Sequence, residues 1–202
     1  MSIRTRRERE RAEREKLIVT AARELAEAEG WDAVTTRRLA EKVEYSQPVL
    51  YSHFDGKDAI VTAVAVEGFA ELGAQMRAAR TAAADADAAL AAVGRAYTAF
   101  ADRHPALYDA MFRQVVALPF AAPEAPAALH AGFDELATAV RPHAGDDDAG
   151  LLTETFWAAL HGLATLTRSG RLPAGESDRR LALLLARFGR VTDGPSGRGP
   201  AT

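Results

Sequence analysis

The sequence predicts an all-α protein of about nine helices, arranged as a small three-helix domain at the amino terminus followed by a larger helical domain. Three observations carry this prediction. Apolar residues recur at three- and four-residue spacing through nearly every segment, the period of a helix with one buried face. Helix-ending residues fall between those stripes, at Gly30, Pro105, Pro142, Gly170 and Pro173. Between residues 36 and 57, two short stripes, Leu39 with Val43 and Leu50 with Phe54, lie on either side of a tight turn. Helices that short are not stable alone in water, so they need the scaffold that the flanking segments supply.

Leu17, Ala21, Leu25 and Ala28 recur at i, i+4, i+8 and i+11, which predicts a first helix over about 10–29, ended by Gly30. Trp31 and Val34 then plug the crossing, and Thr35 or Thr36 caps the next helix. Asp55 is a cap for a long connecting helix, 57–80, with Ile60, Val61, Val64, Phe69, Leu72 and Met76 at mostly helical spacing. The Ala and Asp stretch 81–89 reads as a soft boundary, because alanine favours helix. Leu90, Val93, Tyr97 and Phe100 mark one helix that His104-Pro105 breaks, and Leu107, Tyr108, Met111, Phe112, Val115 and Val116 mark another. Pro119, Pro123 and Pro126 enforce a loop. Leu129, Phe133, Leu136 and Val140 define a helix stopping before Pro142, and Asp146 to Asp148 are caps for the helix 149–169. That helix carries one stripe of Leu152, Phe156, Ala159 and Leu163 and another of Trp157, Leu160 and Ala164, so one side can pack inward while the other meets a partner. A last helix, opened by Ser177, carries Leu181, Leu184, Leu185 and Phe188, and the Gly-, Pro- and Ser-rich tail 191–202 is expected to be disordered. The domains are therefore expected at 1–56 and 81–190, joined by the helix 57–80.

A chain of 202 residues, 48% hydrophobic, has enough apolar surface for one sizeable core plus a small appended domain. No long apolar run has the character of a membrane span, the amino terminus lacks an export-type apolar core, and its dense Glu argues against a transit peptide, so a cytoplasmic location is expected. Zero cysteines exclude disulfides, thiol catalysis and thiolate metal sites. Residues 1–58 hold 12 basic and 12 acidic side chains, so no global basic footprint exists; residues 1–16, however, hold 7 basic against 4 acidic. That segment reads either as a solvated helical extension laced with pairs such as Glu10 with Arg14, or as a phosphate-seeking arm.

The two-helix element has the chemistry of a DNA reader. Ser46 can accept a bond from a backbone N–H of the second helix, and Pro48 in its first turn loses no hydrogen bond. With Leu50 and Phe54 turned inward, Pro48, Val49 and Ser52 face outward, Gln47 leads, and Tyr51 and His53 flank. Glutamine pairs with adenine, apolar Pro48 and Val49 suit a thymine methyl, and Tyr51, Ser52, His53 and Lys57 can hold phosphate oxygens. Thr36 and Arg37, at the start of the preceding helix, complete the candidate set.

At these residues the chain resembles the tetracycline-repressor (TetR/AcrR) family of transcriptional regulators, through Ala40, Ser46, Leu50, Tyr51, His53, Phe54 and Lys57. The resemblance implies that 47–54 is the major-groove recognition helix and that Tyr51 and Lys57 bind backbone phosphate. The turn position usually held by Gly is Glu44, a costly substitution if that residue adopts positive φ. Trp157, His161 and Gly162 resemble the Trp-x-x-x-His-Gly feature of one carboxy-terminal subgroup, as does Arg103-His104-Pro105 ahead of Leu107 and Tyr108. This implies a ligand-binding and dimerisation domain whose last two helices pair with their copies in a homodimer. A single short reader gives little specificity, whereas a symmetric pair reads a palindromic operator in half-sites about 34 Å apart.

Tyr97, Phe100, His104, Tyr108, Met111, Phe112, Phe133, Trp157 and His161 form the candidate effector set, apolar walls with a few polar tips. The histidines at 53, 104, 130, 143 and 161 show no i, i+4 pair, so neither metal nor cofactor is expected. Motifs for nucleophilic, nucleotide-dependent or zinc catalysis are absent, and helix capping explains the acidic cluster 146–148. The expected function is a repressor, a double-stranded-DNA binder released by a small apolar effector. The alternatives are an all-helical interaction protein with a lapsed reader, to which Glu44 is the only pointer, and a small helical enzyme.

Overall fold

The structure, a computed structural model, describes residues 3–114 and 125–189. Nine α-helices are found among them: α1 Ile3–Glu29, α2 Thr36–Lys42, α3 Gln47–Tyr51, α4 Lys57–Thr81, α5 Ala86–Arg103, α6 Pro105–Asp109, α7 Ala127–Val140, α8 Ala149–Arg168 and α9 Ser177–Phe188. A π-helical turn, Ala110–Gln114, follows α6 directly. The expectations for Val115, Val116, Pro119, Pro123 and the tail 191–202 fall outside the described residues.

Two compact units emerge, and they do not follow the linear order of the chain. Among the described residues, one gathers 3–71 with 103–114 and 125–130, and the other 72–102 with 131–189. In the first unit, α1 buries Ile18, Ala22 and Leu25 on one face with Val19 and Ala26 alongside, and packs on α2 and α6. The expected stripe holds at Ala21 and Leu25, which are buried, and fails at its two ends: Leu17 is 45% exposed and Ala28 is exposed. Leu17, Ile18 and Val19 are consecutive apolar residues followed by the pair Ala21-Ala22, so the helical period can be threaded through either of two faces, and packing selects one. The helix also begins seven residues earlier than expected, on the charged segment. Gly30 ends it at φ 84, and Trp31 and Val34 are buried behind it.

Segment 103–114 joins this unit because α1 holds the start of α6. The Glu27 carboxylate accepts the backbone N–H groups of Ala106 and Leu107 at 3.1 and 3.0 Å, and Trp31 Nε1 donates to the Ala106 carbonyl at 2.7 Å. A carboxylate from a distant helix thus satisfies the orphan donors of a helix with only five residues. Arg23 adds an ion pair to Glu71 at 2.7 Å and a contact to His104 Nδ1 at 3.3 Å.

In the second unit, Leu90, Val93, Tyr97 and Phe100 of α5 and Phe156 of α8 are all buried. Asp85 caps α5 through the Ala88 N–H, and Asp148 caps α8 through Gly150 and Leu151. Ser177 is not a cap; its hydroxyl donates to the Ala174 carbonyl and Glu176 holds the position before α9. The buried face of α8 is Thr153, Phe156, Leu160 and Ala164, which draws from both expected stripes. Gly73 faces Gly132 closely enough that a Cβ would lie 3.4 Å from the Gly132 Cα, so two glycines let α4 approach α7. Next to that approach, Glu135, 5% exposed, takes hydrogen bonds from Arg77 and Arg80 at 2.7 and 2.8 Å. Burial raises the Glu135 pKa, and the bonds and charges of the two arginines outweigh it, leaving the carboxyl below its ordinary value.

Among the described residues, α4 is long and apolar enough to cross a membrane, which corrects the expectation that no segment is; half of its most apolar window is buried inside the protein. Its alanine, valine and isoleucine content, with few charges, serves a core helix equally well.

Candidate nucleic-acid interface

The reader is built from its turn outward. Thr35 Oγ1 accepts the Arg38 N–H at 3.2 Å and starts α2. At its other end the Tyr45 N–H donates to the Ala40 carbonyl at 2.9 Å and the Glu44 N–H to Glu41 at 3.3 Å, the bond pair of a Schellman ending. That ending requires a left-handed residue, and Glu44 supplies it at φ 57, as the single positive-φ residue other than glycine among those described. The strain foreseen for a side chain in a glycine position is therefore present, of the order of 1–2 kcal/mol.

Helix α3 covers only Gln47–Tyr51. Ser46 precedes it, but its hydroxyl makes no capping bond; the Ser46 carbonyl instead accepts the N–H groups of Val49 and Leu50. Pro48 lies in the first turn, as expected. Leu50 is fully buried and pins α3 to the unit, worth about 1.5–3 kcal/mol. Everything around it faces outward: Gln47, Pro48 and Ser52 are exposed, Val49 is 38% exposed and Tyr51 50%. The Tyr51 hydroxyl lies 3.4 Å from Thr36 Oγ1, so the start of α2 and the end of α3 meet at one polar edge. Arg37 is exposed on the same helix as Thr36, with Nε on Glu41 at 3.0 Å. Lys57 opens α4 and donates to the Trp31 carbonyl at 2.6 Å, which fixes its stem at the margin of this surface.

His53 departs from the outward set. Its side chain is 7% exposed, with Nδ1 3.5 Å from Glu15 Oε1 of α1 and no hydrogen bond at that nitrogen. The reason is geometric: α3 ends at Tyr51, so the helical rotation used to place residue 53 does not apply. Phe54, half-buried, donates its N–H to the Leu50 carbonyl.

The candidate effector residues divide between the two units. His104, Tyr108, Met111 and Phe112 belong to the first, where Tyr108 and Met111 are buried and Phe112 meets the rings of Tyr108 and Phe69. Tyr97, Phe100, Phe133, Trp157 and His161 belong to the second. Phe100 is wholly buried core, whereas Trp157 and Phe133 are half-buried and meet edge to face at 6.3 Å. Trp157 Nε1 donates to the Tyr97 hydroxyl at 3.1 Å. Burial lowers the His161 pKa, favouring a neutral ring, and Nε2 lies 3.4 Å from Thr165 Oγ1. Cavities of about 300 and 210 Å³ open elsewhere in this unit, one beside Asp87, Leu90 and Leu185, the other beside Arg95, Thr98, Asp102, Leu163 and Thr167. The sequence reading missed both, although Arg95, Thr98 and Asp102 recur at helical spacing on one face of α5.

Residues 18–64 match the family described as bacterial regulatory proteins of the tetR family, and residues 90–188 match the tetracyclin repressor-like C-terminal domain. The uncharacterized HTH-type transcriptional regulator YobS of Bacillus subtilis is 36% identical over 101 residues, covering 50% of this chain and 52% of that protein. The chain thus spans about half the length of this curated relative. The class D tetracycline repressor from Escherichia coli is 46% identical over 50 residues, 25% of this chain and 23% of the repressor. A solved structure of a protein of unknown function from Rhodococcus sp. RHA1 is 27% identical, covers 87% of this chain and 93% of that one, and superposes with a TM-score of 0.73. Two family matches that follow one another along the chain, with the reader's residues inside the first, give one answer: the chain belongs to the tetracycline-repressor (TetR) family of transcriptional regulators.

Proposed function

We propose that the protein is a cytoplasmic homodimeric repressor that inserts α3 into the major groove of a palindromic operator and is released by a small, largely apolar effector. The observation that carries this reading is the exposed edge Gln47, Pro48, Val49, Tyr51 and Ser52 on a helix anchored by buried Leu50. Gln47 reads a base edge; Thr36, Arg37, Tyr51, Ser52 and Lys57 hold phosphates. His53, turned toward Glu15, supports the reader from behind. The last two helices, α8 and α9, pair with their copies, and exposed Leu151, Leu166 and Leu183 supply apolar surface for that pairing.

The effector is held in the second unit, with Phe133, Trp157 and His161 touching it. A neutral His161 suits an uncharged ligand better than an anion. Release requires the effector to bind one conformational state better than the other; a coupling of about 1–3 kcal/mol lowers operator affinity roughly 5- to 150-fold. Helix α4, which contributes residues to both units, is the lever, and the Glu27 and Trp31 hold on α6 ties the segment after α5 to the end of α1, in the reader's own unit. The test is an electrophoretic shift with the DNA upstream of the protein's own gene, together with sedimentation of the free protein. A shifted band competed poorly by random duplex, and a dimer, are expected. A monomer that retards no upstream fragment at low salt defeats the reading.

A further inference from the structure

The amino-terminal extension of α1 has a chemically sorted surface. Along the face that α1 presents to its own unit, Leu25, Ala22 and Ile18 are buried. The same stripe, continued toward the amino terminus at four- and three-residue steps, passes through Arg14, Arg11 and Arg7. Arg7 and Arg14 are exposed, and the Arg11 side chain is 61% exposed while giving Nε to Glu15. Arg9 lies on the opposite face and Arg6 on the flank between, paired to Glu10 at 3.0 Å. Glu15 marks where this helix passes the reader, since its Oε1 stands 3.5 Å from His53, two residues beyond α3. From there Arg7 lies about 12 Å farther along the helix axis.

We propose that Arg7, Arg11 and Arg14 form a second duplex-binding surface, a rigid helical arm that lies against phosphates flanking the half-site read by α3. The inference rests on the reading of α3 as a DNA reader. It adds an interaction that carries no base information and widens the footprint. The charge and the face both argue for it: the side of α1 that packs over the reader changes from apolar to arginine where the core ends, and a polyanion running past the reader meets that side. An acidic protein partner would meet the same charge but has no reason to share the reader's face.

The experiment compares the protein with R7Q/R14Q and with R6Q/R9Q, two variants that remove equal charge from one helix, the first on the proposed stripe and the second off it. Binding to a random-sequence duplex is measured across a salt titration, and a nuclease footprint is taken on the upstream DNA. For R7Q/R14Q, the slope of log affinity against log salt should fall by about 0.9 for each phosphate that the arm no longer neutralises, and the footprint should shorten at its outer edges. R6Q/R9Q should leave both unchanged, and R7K/R14K should restore them, with circular dichroism reporting equal helix in all variants. Equal effects from both pairs, or none from R7Q/R14Q in a protein whose wild type binds DNA, overturn the arm while leaving the reader intact. Wild-type protein that binds neither duplex overturns both.

Discussion

The reader and the aromatic cluster of the second unit use helices in opposite ways. Helix α3 commits a single side chain, Leu50, to the core and leaves its other residues in solvent, so its chemistry can be read from what is exposed. Around α5 and α8 the order is reversed: Tyr97, Phe100 and Phe156 are buried, and the informative groups are those caught partway, Trp157, Phe133 and His161. A surface that recognises a groove must be presented in advance on a minimal anchor. A site that encloses a small molecule shares its residues with the core, so burial alone does not separate lining from packing.

That contrast has direct tests. The largest effect is expected from Leu50→Ala, which removes the sole fully buried residue of α3: about 2–5 kcal/mol of stability measured by denaturant unfolding, with DNA affinity falling in parallel. If stability falls and operator binding survives, α3 is not held by its anchor. Gln47→Ala should leave folding unchanged and cost about 1–3 kcal/mol of discrimination at one base position, seen by scanning operator variants; a uniform loss at every position contradicts the base-reading role. In the second unit, Glu135→Gln should cost about 1.5 kcal/mol at neutral pH. Because the folded-state pKa of Glu135 lies below its unfolded value, its stabilisation is complete above the ordinary glutamate pKa of about 4.3 and is lost as pH falls through the lower folded value. The variant should therefore lose less stability than the wild type on acidification. The smallest change is Glu44→Gly: relief of left-handed strain exceeds the entropy cost of glycine, so melting should show a gain of about 0.5–1 kcal/mol.

The sequence carried most of the helix boundaries because the signals that set them are local. Gly30, Thr35, Asp148 and Gly170 act within a turn of their own positions, and each sits where a helix starts or stops. Glu44 belongs with them: the conflict between its side chain and the turn is legible in the residues alone. What escaped was set by neighbours remote in sequence. Choosing Ile18 over Leu17 as the inward residue of α1 depends on what packs there. The early end of α3 redirected His53 toward Glu15, a partner 38 positions away by residue number. The two apolar stripes of α8 gave a mixed buried face because neither could be preferred without its neighbours. For the same reason, grouping 103–114 with the amino-terminal residues had no local signal; it follows from Glu27 and Trp31.

The hold of Glu27 on α6 has a bearing on how this molecule could be dissected. A fragment cut after residue 56 would keep every outward residue of α3, yet it would lose Lys57, leave Glu27 and Trp31 without the segment they grip, and bare the apolar flank of α1 that α6 covers. Conversely, a protein lacking α1 would ask five residues at 105–109 to wind without a start signal. Excision at the boundary that the linear order suggests should therefore yield a sticky, weakened reader, and a soluble minimal version would have to carry a surrogate for α6.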